Sequence, residues 1–185
     1  MTASKAGGEG GRLLWLLRHA KAAPDPPPGG TDHDRPLAPR GRRDAAALGQ
    51  RLGAGDLGFA GTDLPAVVLC STAIRTTETA ERVTSRIPVT IDRRRRLYYG
   101  SPADVLAELW TMDDLVRSVL VVGHNPTTHT LALDLLAPED TGGRATLEAR
   151  GFPTCALAVY RVGAARWRDV VAGTGTLVGY FTPPY

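Results

Sequence analysis

"LLWLLRHAKAAPD", residues 13–25, sets five apolar residues directly against an arginine and a histidine, after which the chain turns small, proline-rich and acidic. An unbroken apolar run closed by turn residues reads as a strand buried on both faces, as in a parallel sheet. "AVVLC" (66–70) and "SVLVVG" (118–123) repeat the pattern, and "PVTID" (88–92) is a weaker fourth. Between them, apolar residues at helical spacing predict helices over 41–53, 73–86, 102–112 and 126–137. Ser101-Pro102 and Asn125-Pro126 each put a capping residue before a proline at the first helical position. Near the C-terminus "CALAVYRV" (155–162) and "WRDVVAGT" (167–174) flank "GAAR" and predict an antiparallel hairpin. Strands and helices that alternate and then end in two strands specify an α/β three-layer sandwich. Its central sheet is mostly parallel, with one antiparallel strand near an edge and helices on both faces.

The chain has 185 residues, 43% of them hydrophobic, enough for one domain with a sizeable core. Residues 12–185 are expected to form that domain, behind a Gly-rich flexible tail over 1–11. No run approaches the roughly eighteen apolar residues of a membrane span, and "LLWLL" is too short for a signal peptide. A cytoplasmic protein without a membrane partner is expected. Cys70 and Cys155 lie in apolar strand-like runs and are expected as packed thiols. With four histidines and neither CxxC nor HExxH, no metal and no cofactor is expected. Basic charge is carried almost wholly by arginine, most densely at Arg93–Arg96. No aromatic residues interleave with that run, so a solvated or substrate-steering face is preferred to a nucleic-acid surface.

Open α/β sheets bind ligands at the carboxyl ends of their strands. Arg18-His19 follows the first predicted strand, "STAIRTTET" (71–79) the second, and "GHNPTTH" (123–129) the "SVLVVG" strand. An Arg-His pair alone carries little information in an arginine-rich chain. What matters is that Arg18, His19, Arg75 and His124 should converge from three segments on one crevice. Guanidinium forks bind the oxygens of a tetrahedral dianion at any relevant pH. A neutral imidazole is a competent nucleophile near neutrality, provided a group such as a backbone carbonyl fixes its tautomer. A second imidazole, if protonated, would bind the oxygens that gather charge in the transition state.

With these residues in place, the sequence resembles the histidine phosphatase (phosphoglycerate mutase-like) superfamily, and its short SixA-type phosphohistidine phosphatases most closely. "LLRHAK" matches the family's Arg-His-Gly strand end, and "DRPLAPRGRRDA" its Arg-Pro-Leu segment before the first helix. "CSTAIRTTETA" matches its Ser-x-x-x-Arg-x-x-x-Thr segment, and "VLVVGHNPT" its Gly-His strand end. The resemblance spans residues 13 to about 136. It implies that His19 is the phosphorylated nucleophile and that Arg18, Arg75 and His124 form the phosphate pocket. Asp25 occupies a position where many members carry a polar residue near the pocket, and Arg35 lies in the Arg-Pro-Leu segment. Asp25, Arg35 and Asn125 are therefore candidate substrate-binding residues, although Arg35 could instead order its loop by pairing with Asp32 or Asp34. Glu78, three residues past Arg75, is expected to orient that arginine.

Two departures matter. Ala20 replaces the usual glycine after Arg-His, a small change if its φ is negative. The acidic proton donor of larger members has no clear counterpart, since "RRRRLYYGSPADVLAEL" puts Tyr98 and Tyr99 near its expected place. His33 is expected to be solvated and His129 a bystander, while Trp15, Trp110 and Trp167 read as core.

The expected activity is that of a metal-independent phosphatase working through phospho-His19, with protein phosphohistidine as its substrate. A phosphomonoesterase acting on a small phosphorylated metabolite or nucleotide is the alternative. A non-catalytic phosphate-binding module would need the arginines but not His19. A mutase would need a long capping insertion, and the 48 residues between Arg75 and His124 leave no room for one.

Overall fold

A computed structural model describes residues 11–185 of the chain. The tail expected over residues 1–11 therefore lies, apart from Gly11, outside the described residues. Six strands form one sheet: β1 (Arg12–Arg18), β2 (Val67–Ser71), β3 (Thr90–Arg94), β4 (Ser118–Gly123), β5 (Leu157–Val162) and β6 (Gly175–Phe181). Their order across the sheet is β3-β2-β4-β1-β5-β6. The pairs β3/β2, β2/β4 and β4/β1 are parallel, while β5 runs antiparallel to both of its neighbours. The one reversed strand sits next to an edge, as the sequence predicts.

Alternation along β1 splits the apolar residues between two cores. Leu13, Trp15 and Leu17 pack under α1 (Pro39–Ala54) and α2 (Ile74–Val83), with Leu48, Leu52, Ala80 and Val83. Leu14 and Leu16 face α3 (Arg96–Tyr99), α4 (Pro102–Leu109), α5 (Thr127–Asp134) and α6 (Thr141–Arg150), meeting Leu97, Val105, Leu109, Leu131 and Leu147. Helices thus cover both faces. Cys70 and Cys155 are free, buried thiols, and burial pushes both up to about 12, so they stay protonated.

Ser101 caps α4 as expected, accepting from the Asp104 N–H at 3.3 Å while the Asp104 carboxylate accepts from the Ser101 N–H at 2.9 Å. Asn125 does not cap α5 in the same way. Pro126 itself stands at the N-cap, and the Asn125 side chain turns away to donate to the Phe152 carbonyl at 3.0 Å.

Two further expectations fail here, and one helix forms where none is predicted. "WRDVVAGT" is not a strand: Trp167–Asp169 is a 3-10 turn, and β6 begins only at Gly175. Trp167 is fully buried, its indole donates to Val116 O at 2.8 Å, and its backbone N–H is held by Asp114 at 2.9 Å. Filling the core with that ring pulls the segment out of the sheet. Helix α6 was not foreseen because "TGGRATLEAR" opens on two glycines of poor helix propensity. Asp140 starts it anyway by accepting from the Gly143 N–H at 2.9 Å. Trp110 is 42% exposed rather than core, and its indole N–H donates to Val170 O at 2.9 Å.

Helices α1 and α2 touch backbone to backbone. A Cβ at Gly49 would lie 2.4 Å from Arg82 O and 3.0 Å from Val83 O. Gly49→Ala should gain up to about 1 kcal/mol of helix propensity but force the helices apart, an overpacking cost of roughly 1–3 kcal/mol. Backbone carbonyls cannot rotate aside, so a net loss of stability in urea unfolding is expected. A variant more stable than wild type would contradict this packing.

Candidate active site

Strands β1 and β4 are neighbours in register Arg18↔Gly123, and the chain leaves them toward opposite faces, into α1 and α5. Where such connections diverge, the sheet opens a crevice. The His19 N–H donates to Gly123 O at 3.0 Å, which brings the two histidine rings to 5.1 Å between centroids. Arg75 enters from the first turn of α2, beside β4. All four central predicted residues therefore line one open cleft of about 370 Å³.

The strand end is clamped from beneath. The Cys155 N–H is shared between Arg18 O (3.2 Å) and His19 O (3.1 Å), and Cys155 is the one non-glycine residue with positive φ among the described residues (64°). Ala20 is fully buried, is not among the positive-φ residues, and donates its N–H to the Thr79 hydroxyl at 3.0 Å. Replacing glycine here therefore carries no backbone strain.

His19 Nδ1 lies 2.8 Å from Ala20 O. A carbonyl only accepts, so Nδ1 carries the proton and Nε2 keeps its lone pair. Burial, opposed by that hydrogen bond but reinforced by Arg75, Arg18 and Arg35, lowers His19 to about 4. Burial and the neighbouring His19 and Arg75 lower His124 to about 3, while its Nε2 pairs with the Ser71 hydroxyl at 2.8 Å. Both rings are thus neutral at pH 7, and His124 would need a bound anion beside it to hold a proton.

Arg18 donates through Nη1 to Phe152 O at 2.9 Å, and its buried Nε has no partner. Arg75, 7% exposed, gives Nη1 to Asp32 O (2.6 Å) and Nη2 to Asp32 Oδ2 (2.9 Å). A guanidinium has five donors, so up to three remain for a ligand. Asp32 also accepts from Arg35 at 2.7 Å and from the Tyr98 hydroxyl at 2.9 Å, and these contacts hold its carboxyl near 2.

The sequence underrated Asp32 and Tyr98, which complete the site. Their signal was local: an acidic pair just before Arg35, and a tyrosine where an acid was sought. Arg35 lines the cleft and also braces the loop, bonding Asp32 and, through Nε, Ala23 O at 2.9 Å. Asn125 lines it too, with its Oδ1 buried and unpartnered. Asp25 is exposed and outside the cleft.

Glu78 does not orient Arg75. Arg75 reaches toward Asp32, whereas Glu78 faces α1, bonding Arg42 at 3.2 Å and the Leu37 N–H at 3.3 Å. His33 is not merely solvated: its Nε2 meets the Thr72 hydroxyl at 3.0 Å and its ring packs on Tyr98. His129 stays outside the cleft, against Phe152.

Nor is Arg93–Arg96 a uniform cationic patch. Arg93 pairs with Glu81, Arg94 with Asp92 and Glu108, and Arg96 with Asp104. Among the described residues, no group of three or more His, Cys, Asp or Glu side chains is placed to hold a metal. No helix among them is long and apolar enough to cross a membrane.

Chemically, three guanidinium groups around two neutral imidazoles can receive a tetrahedral dianion and present it to a ring nitrogen. Imidazole NMR of the empty protein should show His19 and His124 still neutral at pH 5.5, protonating only on further acidification. A midpoint between pH 6 and 7 for either ring would contradict the burial described.

Comparison with known proteins identifies relatives in sequence and in fold. The histidine phosphatase superfamily (branch 1) profile matches residues 14–98. An uncharacterised protein of Mycobacterium tuberculosis is 42% identical over 170 residues, covering 90% of this chain and 99% of that protein. A solved structure from Nakamurella multipartitia, provisionally named phosphohistidine phosphatase SixA, is 33% identical with a TM-score of 0.78 over 95% of this chain and 98% of that one. One from Agrobacterium tumefaciens, named in the same provisional way, is 28% identical with a TM-score of 0.74 over 93% and 98%. The chain therefore belongs to the histidine phosphatase superfamily as one of its phosphatases.

Proposed function

We propose that this phosphatase hydrolyses phosphohistidine on proteins, without a metal, through a phosphoryl group held covalently on His19. The observation that carries the reading is the His19 Nδ1–H···O=C bond to Ala20, which leaves Nε2 unprotonated in a cleft ringed by Arg18, Arg75 and Arg35. Nε2 attacks phosphorus while the bond to the substrate's imidazole nitrogen breaks, and that nitrogen keeps the electron pair and gains a proton. Water then attacks phospho-His19, releasing inorganic phosphate and restoring the ring. The guanidinium groups hold the equatorial oxygens throughout, supplying the positive charge that a metal would otherwise bring.

Substrate class follows from proton supply. Asp32, the carboxylate in the cleft wall, is held near 2 and has no proton to give at neutral pH. An alkoxide leaving group deprived of a positioned acid loses roughly 10²–10⁴-fold in rate. An imidazole leaving group, basic near pH 6.5, can already carry its proton. The open cleft also suits a phosphate presented on a protein surface. The paired arginines of the 93–96 run speak against a nucleic-acid partner.

Labelled phosphate trapped on the enzyme should be acid-labile and alkali-stable, and absent from a folded His19→Ala variant that has lost turnover. Arg75→Lys should lose about 10²–10³-fold in kcat, the cost of removing one transition-state donor, because an ammonium lacks the planar fork. Chelators should leave wild-type turnover unchanged. Full activity of His19→Ala, or a requirement for a divalent ion, would overturn the mechanism.

A further inference from the structure

Three open clefts meet at one side chain. Tyr98 and Tyr99 form part of the wall of the cleft over His19. A second cleft, of about 410 Å³, is lined by Thr31, His33, Thr72, Arg95 and the same two tyrosines. A third, of about 400 Å³, runs past Arg95, Arg96 and Tyr99 to Gly100 and Asp104. Each is as large as the smaller known ligand pockets, about 300–1,000 Å³. Joined at Tyr99, they form a strip leading away from the phosphate position.

The strip has an aromatic centre and an uncommitted charge. Tyr99 lines all three clefts and is 86% exposed, touching Tyr98 by its edge at 4.1 Å between centroids. Tyrosine is among the residues enriched at protein contact surfaces. Arg93, Arg94 and Arg96 are each paired with a carboxylate, whereas Arg95 is exposed and has no ion pair among the described residues. The carboxylates along the strip are already engaged, Asp32 by Arg35 and Arg75, and Asp104 by Arg96. The charge left to a ligand is therefore positive.

We propose that this strip docks the polypeptide carrying the phosphohistidine, with Tyr99 packing on the flanking residues and Arg95 selecting an acidic side chain among them. The inference rests on the phosphohistidine reading and adds a specificity rule to it. A nucleoside monophosphate fits less well: its one phosphate would sit over His19 and leave Arg95 without an anion, even with its base stacked on Tyr99.

The test uses phosphohistidine peptides that differ only in one flanking Glu, Gln or Lys, with phosphoramidate and nucleoside monophosphates as separate substrates. Wild type should favour the Glu over the Gln peptide about five-fold in kcat/KM, mainly through KM, as one exposed ion pair allows. Arg95→Gln should bring that ratio to one, and Arg95→Glu should invert it so that the Lys peptide is best. Inversion cannot come from a damaged fold. Tyr99→Ala should raise KM for all three peptides.

Equal kcat/KM for the three flanks in wild type, or an unchanged preference in Arg95→Gln, overturns the docking rule. If phosphoramidate and the peptides are hydrolysed without flank dependence, the docking rule falls while the phosphohistidine chemistry stands. Preferential nucleotide hydrolysis lost in Arg95→Glu, or no peptide turnover at all, removes both.

Discussion

The pocket depends on the parallel pairing of β1 with β4 in the register Arg18↔Gly123. A slip of one residue would turn every side chain of β1 to the opposite face, exchanging Leu13, Trp15 and Leu17 for Leu14 and Leu16 between two close-packed cores. Both sets are buried, so the penalty is steric misfit rather than exposure, and it is paid along the whole strand. The same register delivers His19 and His124 together at the strand ends, while the shared Cys155 N–H fixes the carbonyls of Arg18 and His19. Core packing and site geometry are thus one constraint.

Electrostatics sets the second layer. Arg75 is nearly buried, and an isolated buried cation is costly unless paired and hydrogen-bonded. Asp32 supplies both the partner charge and a backbone carbonyl, from a loop that Arg35 in turn fastens to Ala23. Around this cluster a protonated His19 would meet the charges of Arg75, Arg18 and Arg35, and a protonated His124 those of His19 and Arg75, so burial and repulsion act together to keep both neutral. His19 Nε2 thus keeps a nucleophilic lone pair, and a bound dianion would favour protonation of His124.

Periodicity and strand-end logic made much of this legible in the sequence. The four parallel strands, the reversed strand and the convergence of Arg18, His19, Arg75 and His124 all follow from apolar runs that end on polar residues. What stayed hidden was decided by tertiary partners. "WRDVVAGT" has the composition of a strand, but Trp167 has a better place in the core under Arg12 and Val116. Glu78 shares a helix with Arg75, but spacing on one helix does not say which neighbouring element each side chain reaches. Asn125 has the residue type of a cap, yet the Phe152 carbonyl, on a segment 27 residues away, captures its amide. Asp25 sits in the same loop as Asp32, and only the fold reveals which carboxylate faces Arg75.

The absence of a dedicated acid and the form of the cleft mouth bear on the same question. An enzyme that must protonate an alkoxide needs an acid with a raised pKa close to the leaving atom. Here the carboxyl in the cleft wall is pulled the other way by Arg35, Tyr98 and Arg75, which hold it ionised. The phenol of Tyr98, raised to about 12, directs its own proton to that carboxylate. Those hydrogen bonds commit Asp32 and Tyr98 to positioning Arg75 and shaping the wall, so neither is free to act as that acid. On the proposed reading, a substrate whose leaving nitrogen is itself basic asks less of such an acid than an alkoxide does.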